Sequence, residues 1–305
     1  MSFSYHNSNN LLPQRSIDPV GFGKVAIITG CASGIGLATT QLFLAHNYEV
    51  TGVDMQDIDY AKIDERDQGR FHFHKGDLIE PGECDEVVRI CVAKYGHVLT
   101  FLLYSSQALA ANLRTSRQKI DVLANIAGIL DAYAAADVFT DTEWERVMMV
   151  NLTVPTRMIR AVLPFMKANG GSIINVASKA AVSGAAAGVA YTASKHGLLG
   201  VTKNTAWRFR DEGVRCNAVL PGESLGPRLK PQILTRHHMN VKSKCAERYL
   251  ARRELINSRP VHALQGPEAS ITTAEVANTI LFLTSEHARS INGVSLPIDR
   301  AWGVI

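Results

Sequence analysis

The segment Tyr191-Thr192-Ala193-Ser194-Lys195 places a phenol and an ammonium four residues apart, on one face of any helix that contains them. A free phenol titrates near pH ~10 and is a poor base at neutral pH unless a nearby cation stabilises its anion. Lys195 can supply that cation, so the pair can act as an acid–base device. The same spacing also arises by chance. Ser178 stands thirteen residues before Tyr191, just past an apolar run at 172–176. Its hydroxyl can hold a substrate oxygen while Tyr191 exchanges a proton with it; a serine that simply ends a strand is the other reading.

A second constellation lies near the amino end. Thr29-Gly30-Cys31-Ala32-Ser33-Gly34-Ile35-Gly36 follows the apolar run 24–29 and precedes a helical pattern over 36–46. Between a strand and a helix, glycines allow positive φ, close approach of a pyrophosphate to the backbone, and tight helix–strand packing. The helix start then offers free N–H groups and partial positive charge to an anion, here through Gly30, Ser33, Gly34, Ile35 and Gly36. A purely structural glycine turn is the alternative. Asp54 closes the next strand, 18 positions after Gly36, near the ~20 expected for a carboxylate that bonds the adenosine ribose. It opposes a 2′-phosphate, and neither Ser33 nor Met55 attracts one, so the expected cofactor is NAD. Asp77, with Leu78 beside it, follows a third strand and can accept from an adenine amino group, although aspartate is common in turns. Asn125, Ala127 and Gly128 end a fourth strand, where small residues let a cofactor lie across the strand tips.

The elements that must position these groups alternate short β-branched runs with longer helical patterns, the signature of a parallel sheet with helices on both faces. Strands are expected at 24–29, 49–53, 70–74, 120–124, 172–176, 214–219 and 294–298, and helices at 36–46, 81–95, 143–167, 191–211 and 273–284. Pro155 and Pro164 are expected to bend the fourth-strand crossover helix. The fold class is α/β, one doubly wound domain over 21–305, after a polar lead-in at 1–20 that reads as flexible.

Taken in order, these motifs resemble the short-chain dehydrogenase/reductase family, whose pattern is TGxxxGxG, an NAG-type strand end, a helix Asn, Ser, YxxxK and a PG turn. They fall here at 29–36, 125–128, Asn151, Ser178, Tyr191 with Lys195, and Pro221-Gly222, spanning about 22–302. The resemblance implies a Rossmann-type oxidoreductase with a parallel seven-stranded sheet, moving a hydride between NAD and an alcohol or ketone. It implies Tyr191 as general acid/base, Ser178 as the anchor of the substrate oxygen, and Lys195 as the group that lowers the tyrosine pKa and bonds the nicotinamide ribose. Asn151 would hold a water in a proton relay; by residue type alone it is an ordinary helix amide. Pro221, Gly222 and the backbone of Ser224 would meet the nicotinamide end. Dimers or tetramers would form through the helices at 143–167 and 191–211.

The pattern has departures. The usual NNAG reads Asn125-Ile126-Ala127-Gly128, Gly226 stands near an expected Thr, and the VDGG-like turn reads Ile298-Asp299-Arg300-Ala301. With the segment 97–118 they motivate a second reading, a catalytically impaired dinucleotide-binding relative; a third keeps the enzyme but gives it NADP as a ketoreductase, which Asp54 opposes. Residues 97–118 interrupt the passage from a Tyr-Gly turn into the fourth strand; either an added helical piece or translated non-coding sequence accounts for them. Lying before a strand, they are expected at the sheet edge away from the chemistry. The region 223–268 takes the place of a substrate lid, with nine lysines and arginines against four glutamates. That excess either favours an anionic substrate or forms a solvated face.

Bulk properties narrow the class. The 305 residues are 46% hydrophobic and 20% charged with net charge +4, which fits a folded protein and, with no dense basic tract, gives no reason to expect nucleic acid. Five scattered cysteines without a CxxC pair argue against zinc or a disulfide framework and suit a reducing compartment. No apolar run reaches the ~18 residues of a membrane span, and the start lacks a signal-peptide core. The expectation is a cytoplasmic enzyme with a small-molecule substrate and no metal.

Overall fold

The computed structural model describes residues 20–95, 119–222 and 271–301. Seven strands, β1 (Val25–Thr29), β2 (Glu49–Asp54), β3 (Phe71–Lys75), β4 (Val122–Asn125), β5 (Gly171–Val176), β6 (Val214–Pro221) and β7 (Ser295–Ile298), form one sheet in the order β3-β2-β1-β4-β5-β6-β7. Every pairing is parallel. The helices are α1 (Gly34–Ala45), α2 (Glu83–Tyr95), α3 (Asp141–Met148), α4 (Val154–Met166), α5 (Val189–Arg208) and α6 (Thr273–Thr284). The expected doubly wound Rossmann-type domain is what the described residues form.

Burial of the inner strands, such as β1 and β4, on both faces explains their near-continuous apolar sequence. Along β1, Val25 and Ile27 join a core with Val87 and Cys91 of α2 and Met158 and Val162 of α4. Ala26 and Ile28 point the other way, into a core with Phe43 of α1 and Val276 and Ile280 of α6. This period-two division places helices on both sides of one sheet.

The strand order also locates the crevice. From β1 the chain runs outward to β2 and β3, then returns to β4 on the other side of β1. Open parallel sheets bind ligands at such a switch point, beyond the carboxyl ends of the strands. There an added Cβ on Gly30 would stand 3.0 Å from the backbone of Ala127, and the Thr29 hydroxyl accepts from the backbone N–H of Ile126 at 2.9 Å and of Ala127 at 3.0 Å.

The crossover helix expected over 143–167 needs correction. It is two helices joined by a wide π turn, Met149–Thr153, and the prolines are not the break. Pro155 lies in the first turn of α4, where a missing N–H is tolerated. The interruption centres on Asn151, whose side chain is tied to the backbone of Ile129.

Candidate active site

The loop after β1 is built from close approaches. An added Cβ on Gly36 would fall 1.9 Å from the carbonyl oxygen of Gly30, so glycine is required there. Gly34 has φ +57° and faces open space, with nothing within 4 Å of the added carbon. Ser33 precedes α1 without a side-chain cap, and the first turn holds no acidic residue. The leading N–H groups and positive end of α1 are thus available to an anion, which fits a dinucleotide pyrophosphate. Asp54 stands beside this loop; one carboxylate oxygen accepts from the backbone N–H of Ala32 at 3.0 Å, the other from that of Gln56 at 2.9 Å. Each oxygen keeps a lone pair for a ribose hydroxyl.

Asp77 accepts from the N–H of Ile79 at 3.2 Å, as a turn aspartate does, while the Leu78 side chain is buried in the core with α2 and α4. Asn125 is turned inward. Its amide donates to Asn175 at 2.9 Å, and Asn175 donates to Thr202 at 2.9 Å, a buried line from β4 through β5 to α5. The side chain of Asn125 therefore braces the strands, and it is Ala127 and Gly128 that line the switch point. Gly222 donates its N–H to Ile298 at 2.9 Å, tying the end of β6, with Pro221, to β7. Ser224, the insertion at 97–118, the lid at 223–268 and the lead-in at 1–19 lie outside the described residues.

Ser178, Tyr191, Lys195 and Asn151 come together. Ser178 follows β5, its hydroxyl accepting from the N–H of Ala180 at 3.2 Å and lying beside the Tyr191 phenol. The Lys195 ammonium lies 5.5 Å from the centre of the Tyr191 ring and donates to the carbonyl oxygen of Val176 at 2.9 Å. Gly128 makes room for both neighbours: an added Cβ would meet Asn151 Oδ1 at 3.3 Å and Lys195 Nζ at 3.5 Å. Asn151 accepts from the N–H of Ile129 and donates to its carbonyl oxygen, each at 2.9 Å, and also reaches Ser194 Oγ at 3.3 Å. Ser194 in turn donates to the carbonyl oxygen of Tyr191 at 2.8 Å.

The electrostatics differ from the simple expectation for Lys195. Burial pushes the Tyr191 phenol up to about 12, the hydrogen bond from Ser178 works against that rise, and the charge of Asp131 adds to it. Burial draws the neighbouring Lys195 down to about 8. The site thus holds a protonated phenol beside a hydroxyl and a buried amine, an arrangement that can donate a proton to an oxygen placed against Ser178.

Three contributors escaped the sequence reading: Asp131, Asn175 and Ser194. Ser194 lies inside the Tyr-to-Lys segment and was open to notice. Asp131 is joined to Gly188 and Tyr191, 57 and 60 residues away, and no local pattern marks such a link.

Two family models cover the chain. Residues 24–104 match the model described as short chain dehydrogenase, and residues 103–301 match the one described as enoyl-(acyl carrier protein) reductase. The short-chain dehydrogenase/reductase cdmF of Talaromyces verruculosus is 40% identical over 286 residues, covering 92% of this chain and 97% of that protein. The chain belongs to the short-chain dehydrogenase/reductase family. Another relative, asnovolin H dehydrogenase nvfC of Aspergillus novofumigatus, is also 40% identical, with the same 92% and 97% coverage. The crystal structure of levodione reductase shares the fold, with TM-score 0.71 and 24% identity over 93% of this chain and 99% of that one. As a short-chain dehydrogenase/reductase, the chain is an oxidoreductase of a family that generally binds a nicotinamide cofactor. The two short-chain dehydrogenase models meet at residues 103–104, inside the segment 97–118 that interrupts the family pattern. Among the described residues no helix is long and apolar enough to cross a membrane, and no cluster of metal-ligating side chains occurs.

Proposed function

We propose that this chain is an NAD(H)-dependent oxidoreductase that interconverts an alcohol and a ketone, with Tyr191 as general acid/base. The observation that carries the reading is the meeting of Ser178, Tyr191 and Lys195 at one strand tip, with the Lys195 ammonium 5.5 Å from the centre of the Tyr191 ring and bonded to Val176 at the end of β5. When bound, the dinucleotide supplies or accepts the hydride at the substrate carbon. Tyr191 gives a proton to the substrate oxygen in reduction and takes it back in oxidation. Ser178 holds that oxygen within reach of the phenol. Lys195 bonds the nicotinamide ribose and keeps positive charge near the phenol. Asn151, whose carboxamide is held by Ile129 and Ser194, would hold the relay water, as the family resemblance implies.

The leading N–H groups of α1, around Gly34 to Gly36, would receive the pyrophosphate, and Asp54 the adenosine ribose hydroxyls. The carboxylate favours NAD over NADP. Lys75, the register partner of Asp54, is paired with Asp57 at 2.8 Å rather than offered to a 2′-phosphate. Asp77 and Leu78 would border the adenine, and Ala127, Gly128, Pro221, Gly222 and Ser224 the nicotinamide half. We read the enzyme as a cytoplasmic homodimer or homotetramer acting on a small molecule.

A panel of alcohols and ketones, with asnovolin H included because a relative is named for it, should be run with each cofactor. NADH should bind more tightly than NADPH, and Asp54→Ala should narrow that gap. Tyr191→Phe should bind NADH and lose nearly all turnover. Retained turnover in that variant, or tighter NADPH binding by the wild type, overturns the corresponding part of the reading.

A further inference from the structure

Asp131 lies in the loop between β4 and α3, buried against the start of α5. One carboxylate oxygen accepts from the backbone N–H of Gly188 at 3.1 Å and of Tyr133 at 3.2 Å, and the other from that of Tyr191 at 2.9 Å. Helix starts leave N–H groups without partners, and a side chain at the N-cap ordinarily takes them. Here the N-cap is Gly188, which has no side chain to do so. The loop does it instead: Asp131 takes Gly188 and Tyr191, and the carbonyl oxygen of Ala134 accepts from Val189 at 2.9 Å. The fit admits only glycine at 188, since an added Cβ would stand 2.5 Å from Asp131 Oδ2 and 2.8 Å from the backbone nitrogen of Ala134. The loop is held from its far side as well, where Ile129 bonds Asn151 and Ala132 donates to Glu143.

Among the described residues no cation pairs with Asp131. Its carboxylate is met by three N–H groups and by the positive end of α5. The same turn of α5 carries Tyr191, so whatever fixes that turn fixes the phenol.

We propose that Asp131 is a positioning residue for the reaction, its carboxylate setting the first turn of α5 and so the point from which Tyr191 reaches Ser178 and the substrate oxygen. The inference rests on the reading of Tyr191 as the proton-transferring group. The negative charge has a second effect, opposing loss of the Tyr191 proton. Among the described residues, the charged groups around the phenol are Asp131 from the β4–α3 loop and Lys195 from α5 itself. Ser178 contributes a hydroxyl from the end of β5, and the adjacent Lys179 stands 3.9 Å from Asp299.

The test uses the full chain with Asp131→Asn, Asp131→Ala and Tyr191→Phe. Ultraviolet difference titration of each protein against its Tyr191→Phe counterpart isolates the one phenol and needs no substrate. Asp131→Asn keeps the shape and one acceptor oxygen but removes the charge. Its phenol should titrate lower by about half a pH unit or more, and the pH profile of alcohol oxidation should move acid by the same amount. Its kcat should fall about tenfold with KM changed less than about twofold, as misplacement of a reacting group predicts. A folded Asp131→Asn protein with unchanged titration and kcat overturns the inference, even if Asp131→Ala fails to fold. If Tyr191→Phe is inactive while Asp131→Asn behaves as wild type, this inference alone falls; if Tyr191→Phe remains active, the reading of Tyr191 falls and takes it along.

Discussion

The ammonium of Lys195 donates to the carbonyl oxygen of Val176 at 2.9 Å, joining α5 to the end of β5. The side chain is 3% exposed, so the charge has been taken almost wholly out of water.

That burial has a measurable pH signature. The pKa of Lys195 is lowered to about 8, below the ordinary lysine range. Between about pH 8 and about pH 10.4 the unfolded chain binds more protons than the folded one, so stability from this group rises with pH across that window. Lys195→Met abolishes the dependence. In urea titrations at about pH 7.5 and about pH 9.5, wild-type stability should gain on the variant by about 1–2 kcal/mol. An unchanged difference would show that the amine is not so buried.

The two directions of turnover should respond differently to pH. With the Tyr191 phenol pushed up to about 12, the acid form dominates through neutrality. Carbonyl reduction, which needs a proton donor, should vary little between about pH 6 and about pH 8, whereas alcohol oxidation should climb from about pH 7 to about pH 9. Initial rates in both directions decide it, and an oxidation rate that falls as pH rises is incompatible with a phenol base.

Much of the architecture was legible because the inner strands of a parallel sheet are buried on both faces and announce themselves as short apolar runs. The α6 range was read to the residue, and the capping box of Thr272 with Glu275 explains its sharp start. The π turn was not legible. It depends on Asn151 bonding Ile129 across 22 residues, and prolines nearby offered a more obvious local cause. In the site, the residue types and spacings of Ser178, Tyr191 and Lys195 pointed to one place, whereas the inward turn of Asn125 depends on Asn175 from another strand. The balance of charges around the phenol belongs to tertiary structure and could not be counted from spacing.

Two glycines of the first loop should behave unequally when changed to alanine. Gly36→Ala drives a methyl into the carbonyl of Gly30 and should cost about 2–3 kcal/mol. Gly34→Ala meets open space and carries only the strain of φ +57°, about 1 kcal/mol. Denaturant midpoints rank the pair, and equal losses would contradict the packing described.

At the chain's other end, Arg300 and Ala301 hold left-handed backbone, with φ +47° and +66°, where the family pattern has glycines. Ala301→Gly should raise stability by about 0.5–1 kcal/mol. Gly293→Ala, at φ +82°, should lower it by a similar amount. Thermal melts of the two variants give the signs directly.

The strictly parallel sheet has a practical corollary. Ser178 and the loop after β1 lie at one rim, while α2 ends and β4 begins at the opposite rim. On the proposed function, a reporter domain grafted into the connection between them should leave turnover unchanged, as initial rates would show.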